Sequence, residues 1–200
     1  IIQCDCFGFA VYTDCHVSGS VHMDSDMLDC TVNNVPFFAT CGIGFDAQVA
    51  QDFEQSDRGL KGYLQTITKD IFNYKSDNYH LVGDGIDIET KAFLINFANA
   101  GQWGYDAYIA PKASIQDGLL DVAIVSEFSL MEAMGMALRL FTKTIDEHLH
   151  MNTIRAKEIT LIREDEDSPV HIDGTPTKMG KELNVKIVED GLKVLVKKRF

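Results

Sequence analysis

The 200-residue sequence contains 18 basic and 30 acidic side chains, which give a formal net charge of −12 at pH 7. With 46% hydrophobic residues, 24% charged residues and only four prolines, the composition is that of a globular protein, which excludes disordered, collagen-like and low-complexity chains. The negative charge also disfavours binding to the phosphate backbone of nucleic acids.

All of the cysteines lie within the first 41 residues of the chain: Cys4, Cys6, Cys15, Cys30 and Cys41. Their odd number and uneven spacing fit no disulfide framework, so we interpret them as reduced thiols of a cytoplasmic protein. Zinc binding is the alternative interpretation, but Cys4 and Cys6 have no second pair at ligand spacing. No segment resembles a signal peptide or an apolar run of about eighteen residues, so we expect neither export nor a membrane span.

The first strand-like segment runs from Val35 to Phe45 and is apolar. Gly42 and Gly44 lie near its end, but a phosphate-binding loop would need a third glycine and a lysine, so we assign both glycines to packing. Apolar residues at helical spacing then predict a helix over residues 57–73.

A hairpin follows that helix. Residues 79–82 and 86–90 are both β-like and flank Asp84-Gly85, a dipeptide typical of two-residue β-turns. A further strand is predicted directly afterwards, over residues 92–98.

The second helix is predicted to begin at Ser129, which forms a capping box with Glu132. Its predicted buried stripe consists of Leu130, Met134, Leu138, Phe141 and Ile145. The methionines Met131, Met134 and Met136 allow two interpretations, which are core packing and the lining of a groove for a lipid tail.

The remainder of the chain is β-like. Strands are predicted over residues 153–163, 170–172, 184–188 and 192–196, with a hairpin turn at Asp190-Gly191 joining the last two. The elements do not alternate regularly between strand and helix, so we predict a mainly β fold of the α+β type: a mostly antiparallel β-sandwich or barrel with two helices.

Two further Asp-Gly dipeptides are candidates for chemistry. Asp117 lies in a turn where its carboxylate and neighbouring carbonyls could hold a hard cation, although turns without a metal are commoner than such sites. Asp173 follows a short apolar strand and precedes Gly174, which places a carboxylate at a strand end, where loops often meet substrates.

Three motifs now stand in order along the chain: Phe37-Phe-Ala-Thr-Cys-Gly-Ile-Gly-Phe-Asp46-Ala; Asn99-Ala-Gly continuing to Ala110-Pro111-Lys-Ala-Ser-Ile-Gln-Asp117-Gly-Leu-Leu-Asp121-Val; and His171-Ile-Asp173-Gly. Together they resemble the C-terminal domain of the soluble lipid kinases that share the diacylglycerol kinase catalytic fold, a family that includes sphingosine kinases and bacterial diacylglycerol kinases. The resemblance covers residues 24–196. It implies the C-terminal β-sandwich of the NAD kinase/diacylglycerol kinase-like fold over residues 24–200, and it leaves residues 1–23 unplaced.

Enzymes of this family have an N-terminal α/β domain that binds ATP through a Gly-Gly-Asp-Gly-Thr loop, and a C-terminal domain that supplies the acceptor side. No stretch of this chain carries that loop, and Gly83-Asp84-Gly85 lies in the wrong domain to replace it. The chain also opens with Ile1 rather than methionine, which is typical of a fragment or a processed protein. The resemblance therefore implies the acceptor half of an ATP-dependent kinase for diacylglycerol or a related lipid alcohol, inactive as this chain alone.

Carried over residue by residue, the resemblance places a structural Mg²⁺ on the Asp117 carboxylate and on the carbonyls of Ser114 and Leu119. The catalytic base falls on Asp173. The family's Asp-Gly-Glu motif ends here in Thr175, which cannot act as a base at neutral pH, so Asp173 would have to remove the acceptor proton alone. Asp46 and Asn99 would shape the cleft.

Two alternatives have a different function. The first is a non-catalytic lipid-binding or regulatory domain that kept the fold, and the second is polyphosphate-dependent NAD phosphorylation on the related NAD kinase fold. For the kinase we expect a cytoplasmic homo-oligomer that contacts the inner membrane face peripherally.

Overall fold

The computed structural model describes residues 2–3, 10–11, 22–54, 67–104 and 106–196. Its strands are β1 (Ile2–Gln3), β2 (Ala10–Val11), β3 (His22–Val32), β4 (Val35–Phe37), β5 (Thr40–Gly44), β6 (Asp77–Gly83), β7 (Ile86–Ala92), β8 (Leu94–Ala98), β9 (Gln102–Gly104), β10 (Ala107–Tyr108), β11 (Leu120–Val125), β12 (Met151–Ala156), β13 (Glu158–Arg163), β14 (Val170–Ile172), β15 (Thr175–Thr177) and β16 (Glu182–Val196). The helices are α1 (Phe45–Glu54), α2 (Leu130–Thr142) and a 3₁₀ turn (Ile145–Glu147).

Two six-stranded antiparallel sheets form the body of the molecule. Sheet I has the order β12-β11-β8-β5-β14-β15, and sheet II has the order β4-β3-β16-β13-β6-β7. Two short ribbons, β1–β2 and β9–β10, complete the described strands. This mostly antiparallel β-sandwich confirms the predicted fold class, and it excludes the closed barrel that the strand pattern had left open.

An inner core fills the space between the two sheets. Its fully buried members include Val32, Phe37, Leu81, Leu161 and Leu183 from sheet II, and Ile43, Ile95, Phe97, Leu120 and Val122 from sheet I. In β13 buried residues alternate with exposed ones, because only one face of sheet II is covered there. In contrast, β5, β8 and β11 of sheet I are buried along their whole lengths, as expected for strands covered on both faces.

The second cover of sheet I is an outer layer made of the helices. Phe45 and Val49 of α1, Met136 of α2 and Ile145 of the 3₁₀ turn pack with the outward-facing residues of β8 and β11. Residues 67–70 are also helical, whereas the preceding part of the helix predicted over residues 57–73 lies outside the described residues.

Several local predictions are confirmed. The hairpin across Asp84-Gly85 joins β6 to β7, and Asp84 and Gly85 both have positive φ angles, 48° and 76°. The capping box of α2 is present, with the Ser129 backbone N–H donating to Glu132 Oε2 at 2.8 Å. Gly44 ends β5 with φ at 91°, where a side chain would meet the backbone of Phe93 and Leu94.

The predicted buried stripe of α2 is wrong. Leu130, Met134, Leu138 and Phe141 are between 49% and 78% exposed, and Ile145 is buried but belongs to the 3₁₀ turn. The helix instead faces sheet I with Met136, Leu140 and small alanines. The helix carries apolar residues over a wider arc than the sheet covers, so spacing alone selected the arc that faces outward.

The predicted hairpin at Asp190-Gly191 is also wrong. The backbone continues through both residues as the single strand β16, whose two halves pair with β3. The register of this pairing shifts between Val188 and Leu192, so the glycine lies at an irregularity within a strand rather than at a turn.

Candidate functional site

An apolar cleft of about 190 Å³ opens between the outer face of sheet I and the helical layer. Most of its lining is aliphatic or aromatic, contributed by Phe45, Val49, Ile67, Ile71, Phe93, Leu94, Trp103, Ala107, Ile109, Val125, Phe128, Ala133, Met136, Ala137, Leu140, Phe141 and Ile145. The aromatic rings contact one another, with ring centroids 4.6 Å apart for Phe45 and Phe93 and 4.7 Å apart for Phe93 and Phe128. A cleft of this composition suits a hydrocarbon ligand.

Asp46 is the one charged residue among the described residues that line the cleft. It lies in the first turn of α1, where the helix dipole stabilises a negative charge. Its side chain is only 3% exposed, so the carboxylate depends on the protein for its hydrogen bonds.

The register of sheet I explains how the carboxylate is accommodated. Gly42 lies at the centre of β5, directly opposite Asn96 of β8 on one side and His171 of β14 on the other. The two side chains therefore project from the same face of the sheet as the missing side chain of Gly42. A Cβ at position 42 would overlap the Asp46 carboxylate and the His171 ring, so the glycine provides the space for the carboxylate. This confirms the packing role predicted for Gly42.

A buried polar trio results, formed by Asp46, Asn96 and His171. Asp46 Oδ2 accepts a hydrogen bond from Asn96 Nδ2 at 3.1 Å and lies 3.0 Å from His171 Nε2. Asp46 Oδ1 accepts a bond from the backbone N–H of Ala47 at 2.8 Å. Asn96 is fully buried, and its Oδ1 atom has no hydrogen-bond partner among the described residues. Unsatisfied polar atoms of this kind are uncommon in protein interiors.

Asp173, the predicted base, lies at the turn between β14 and β15 with φ at 46°. Its carboxylate accepts hydrogen bonds from the backbone N–H groups of Phe38 (2.8 Å), Ala39 (2.8 Å) and Thr40 (3.0 Å). These bonds tie the β14–β15 turn to the β4–β5 connection. Unlike Asp46, Asp173 does not line the apolar cleft.

Asn99 acts on the same connection. Its Nδ2 group donates to the Phe38 carbonyl at 2.9 Å, and its backbone N–H donates to the Ala39 carbonyl at 2.9 Å. Asn99 and Asp173 thus fix the loop that leads into β5, the strand that contains Gly42. Thr175 begins β15 and is exposed.

The predicted magnesium ligands lie together in the turn before β11. Asp117 Oδ1 accepts the Leu119 N–H at 3.1 Å, and the Asp117 N–H approaches the Ser114 carbonyl at 3.5 Å. Asp117 Oδ2 forms an ion pair with Arg155, which also lies 3.5 Å from Asp121. The Asp117 carboxylate is exposed, and a Mg²⁺ ion at this turn would have to share it with the Arg155 guanidinium.

Asp121 lies next to this turn and is 4% exposed at its side chain. Burial raises the pKa of its carboxyl, and the Arg155 guanidinium offsets part of that effect. Its Oδ2 atom is buried without a hydrogen-bond partner among the residues that the structure describes.

The structure thus separates the predicted residues into two places. Asp46 lines the cleft against β5 and Asp173 is hydrogen-bonded to Thr40 at the start of β5, whereas Ser114, Asp117 and Leu119 occupy the turn before β11. Sequence reasoning missed the contact of Asn96 and His171 with Asp46, because Asn96 appeared only as part of a strand and His171 only as part of a motif. The antiparallel register around Gly42 is the signal that could have found them.

Within the described ranges, no helix is long and apolar enough to cross a membrane. Over the same residues, no group of three or more His, Cys, Asp and Glu side chains is arranged to hold a metal ion. Cys30 and Cys41 are buried in the inner core, and Cys4, Cys6 and Cys15 lie outside the described residues.

The sequence matches the family of the YegS C-terminal NAD kinase beta sandwich-like domain over residues 39–196. It is 26% identical over 166 residues to the uncharacterized protein sll0036 of Synechocystis sp. (strain ATCC 27184 / PCC 6803 / Kazusa), a match that covers 80% of this chain and 34% of that protein. The chain thus spans about a third of its relative's length.

The fold is similar to that of a proposed diacylglycerol kinase from Bacillus anthracis str. Sterne, with a TM-score of 0.64 and 19% identity over 83% of this chain and 54% of the other. A second structure of a proposed diacylglycerol kinase from the same organism gives a TM-score of 0.63 at 18% identity, covering 83% and 55% of the two chains. These similarities show a shared fold, and the chain spans about half of each solved protein.

Proposed function

This chain belongs to the family of YegS C-terminal NAD kinase beta sandwich-like domains, and on that basis we propose that it is the acceptor half of an ATP-dependent lipid kinase. The apolar cleft with Asp46 in its wall is the observation that carries the proposal. A lipid alcohol has an apolar tail and a polar end with a hydroxyl group. The cleft offers matching surfaces for both: hydrocarbon side chains for the tail and one buried carboxylate for the hydroxyl.

The chemistry asks little of this half of the protein. Phosphoryl transfer has a loose transition state, so the acceptor domain mainly needs to position the hydroxyl and accept its proton. The resemblance to the family assigns the catalytic base to Asp173, whereas Asp46 is the carboxylate that lines the cleft. ATP would be bound by a nucleotide domain with the Gly-Gly-Asp-Gly-Thr loop. Mg²⁺ at Asp117, Ser114 and Leu119 would stabilise the turn before β11.

We propose that the kinase meets its substrate at the surface of the inner membrane leaflet. The exposed residues Leu130, Met131, Met134, Leu138 and Phe141 form what we call the outer arc of α2. Phe141 belongs to both the outer arc and the cleft lining, so one apolar surface is continuous from solvent into the cleft. Exposed apolar patches of this kind are typical of surfaces that meet a membrane or another protein. This use of Met131 and Met134 differs from both sequence-based interpretations, because the two side chains are 92% and 78% exposed.

The test is a kinase assay of the full-length protein that contains this chain, with labelled ATP and a panel of lipid alcohols including diacylglycerol and long-chain bases. We expect transfer to at least one of them. Asp46→Asn and Asp173→Asn are then compared at equal ATP affinity. If Asp173 is the base, Asp173→Asn should lower the turnover number about 10²- to 10⁴-fold. If Asp173→Asn is fully active, the base assignment that the family implies is wrong.

Thr175 stands where the family has a glutamate, and this replacement favours one second candidate function. That function is a lipid-binding or regulatory domain without catalysis. Replacement by Thr175→Glu restores the family's Asp-Gly-Glu motif in this exposed turn. A wild-type protein that binds the lipid without phosphorylating it, and that becomes active on Thr175→Glu, would support the binding domain. A wild type that is already active would support the kinase.

A further inference from the structure

The arrangement around Gly42 extends the proposed function to residues beyond those that touch the cleft. Resting on that lipid-kinase function, we propose that His171 is a positioning residue, assisted by Asn96, which holds the Asp46 carboxylate in the orientation that receives the acceptor hydroxyl. The three side chains come from β14, β8 and α1, so the orientation of Asp46 depends on both sheet I and the helical layer.

The hydrogen bonds around Asp46 Oδ2 identify the donor atoms of His171 and Asn96. His171 Nδ1 faces the backbone N–H of Gly174 at 3.4 Å and therefore acts as an acceptor. In the tautomer that this contact favours, Nε2 carries a proton and donates it to Asp46 Oδ2 at 3.0 Å. Asn96 Nδ2 donates to the same oxygen at 3.1 Å. The two donors come from the strands on either side of Gly42. Together they fix the position of Oδ2 and thereby the plane of the Asp46 carboxylate.

The other oxygen is the one assigned to the substrate. Oδ1 accepts the Ala47 N–H at 2.8 Å, and a carboxylate oxygen has room for about two such bonds. The second position on Oδ1 would accept the hydroxyl of the lipid. Asp46 would then act as an oriented acceptor, and displacement of Oδ2 would misplace Oδ1 as well.

A purely structural role explains the cluster less well. Buried charged groups are seldom more stabilising than apolar residues of the same volume, and the outer face of sheet I is otherwise filled mostly by apolar side chains such as Leu94, Ala98 and Val125. The trio also lies where sheet I meets the cleft. In addition, His171 is connected through Gly174 to the turn that carries Asp173, so the same hairpin bears on both candidate carboxylates.

The experiment uses His171→Leu, His171→Gln and the control Val170→Ala in the full-length protein. Gln can place an amide N–H close to the position of Nε2, whereas Leu removes the donor. Val170 is fully buried in the same strand but faces the inner core, so Val170→Ala lowers the melting temperature without touching Asp46. The readouts are kcat, KM for lipid, KM for ATP, the pH profile of kcat and the melting temperature.

We expect His171→Leu to lower kcat about 10²-fold, the size of effect expected from misplacing a reacting group, with KM for ATP unchanged. His171→Gln should keep most of the activity and the pH profile of the wild type. Val170→Ala should keep the wild-type kcat at temperatures where the protein is folded. If His171→Leu keeps the wild-type kcat, or if Gln and Leu lose activity equally, the positioning role is refuted.

A binding measurement separates this proposal from the kinase assignment. The probes are 1,2-dioctanoylglycerol and its analogue with the free hydroxyl replaced by hydrogen. Wild-type protein should prefer the hydroxyl-bearing lipid, and His171→Leu should lose this preference while keeping its affinity for the analogue. An inactive wild type that shows this pattern overturns the kinase assignment alone. An active wild type whose preference survives His171→Leu overturns the positioning role alone.

Discussion

The two faces of sheet I are covered in different ways. The inner face packs against sheet II, and side chains such as Phe97 and Leu161 fill the space between the sheets. The outer face packs against helices that leave an apolar cleft, a buried carboxylate and an Asn96 oxygen with no hydrogen-bond partner in the described part of the chain. The same strands thus contribute to a filled core on one side and to a candidate binding site on the other. The comparison teaches that the inner face serves stability, whereas the outer face retains imperfections that a ligand could satisfy.

The largest expected effect tests this division directly. Leu161→Ala removes a fully buried side chain from the inner core and should lower the free energy of unfolding by about 2–5 kcal/mol. Met136→Ala only enlarges an existing cleft and should cost about 2 kcal/mol, near the lower limit of such substitutions. Urea unfolding measures both losses.

Lipid binding by the same two variants should follow the opposite order. Met136→Ala should weaken binding of 1,2-dioctanoylglycerol, while Leu161→Ala should leave it unchanged under conditions where the protein is folded. Equal losses of stability, or a loss of lipid binding confined to Leu161→Ala, would contradict the distinction between the two faces.

Gly42→Ala tests the contact between sheet I and Asp46. The added methyl group would overlap the Asp46 and His171 side chains, so these must shift within a buried space. We expect a loss of about 1–3 kcal/mol in the free energy of unfolding, as for other overpacked sites. Gly135→Ala is the control, because a Cβ at position 135 of α2 meets no atom within 4 Å. A Gly42→Ala protein as stable as the Gly135→Ala protein would show that the trio is loosely packed.

Asp117 lies away from both faces and provides an independent comparison. If Mg²⁺ binds only the folded protein, a concentration ten times the Kd stabilises it by about 1.4 kcal/mol. Asp117→Ala should abolish this gain, whereas Arg155→Ala should enlarge it by removing the competing cation. Melting temperatures with magnesium and with a chelator measure both effects. Equal shifts with and without magnesium would reduce Asp117 to a turn residue.

The outer arc of α2 should affect membrane contact and hardly affect stability. Met131→Gln combined with Met134→Gln changes two exposed side chains, so we expect a change in unfolding free energy within about 0.5 kcal/mol. Co-sedimentation with phosphatidylcholine vesicles containing diacylglycerol should fall several-fold. Exposed polar substitutions on sheet II, such as Glu89→Gln, serve as the control. Unchanged sedimentation of the double variant would exclude the outer arc as the contact surface.

The smallest effect concerns the start of α2. Hydrogen bonds from Ser129, together with His150, lower the pKa of Glu132 from 4.5 to about 2. Since the folded pKa is depressed, the stabilisation is present above pH 4.5 and is lost as the pH falls toward 2. The difference in stability between wild type and Glu132→Gln should shrink over this range in urea titrations. A constant difference would show that the capping box contributes no pH dependence.

Sequence patterns predicted the locally determined elements well, for physical reasons. The hairpin around Asp84-Gly85 depends on local backbone preferences, and the capping box at Ser129 depends on residues three apart. Strand segments such as residues 94–98 are apolar at every position except Asn96, because sheet I is covered on both faces. Each of these signals is contained within a short stretch of chain.

The candidate site required information that no short stretch contains. Asp46, Asn96 and His171 are brought together only by the pairing of β5 with both β8 and β14, strands that are distant along the chain. The arc of α2 that faces sheet I could not be chosen from spacing, because apolar residues extend around both arcs. The turn predicted at Asp190-Gly191 is wrong because β3, which is distant in sequence, pairs with β16 on both sides of these residues.

This pairing pattern also has consequences for how the molecule is made. Each sheet contains neighbours from opposite ends of the described chain: β16 lies next to β3 in sheet II, and β14 lies next to β5 in sheet I. Contacts at such sequence separation are slow to form, because a long loop must close first. During synthesis β3, β5 and β8 would wait on the ribosome with unpaired edges until β14 and β16 emerge. A slower translation rate, or a premature stop before β14, would therefore leave aggregation-prone strands exposed rather than a smaller folded unit.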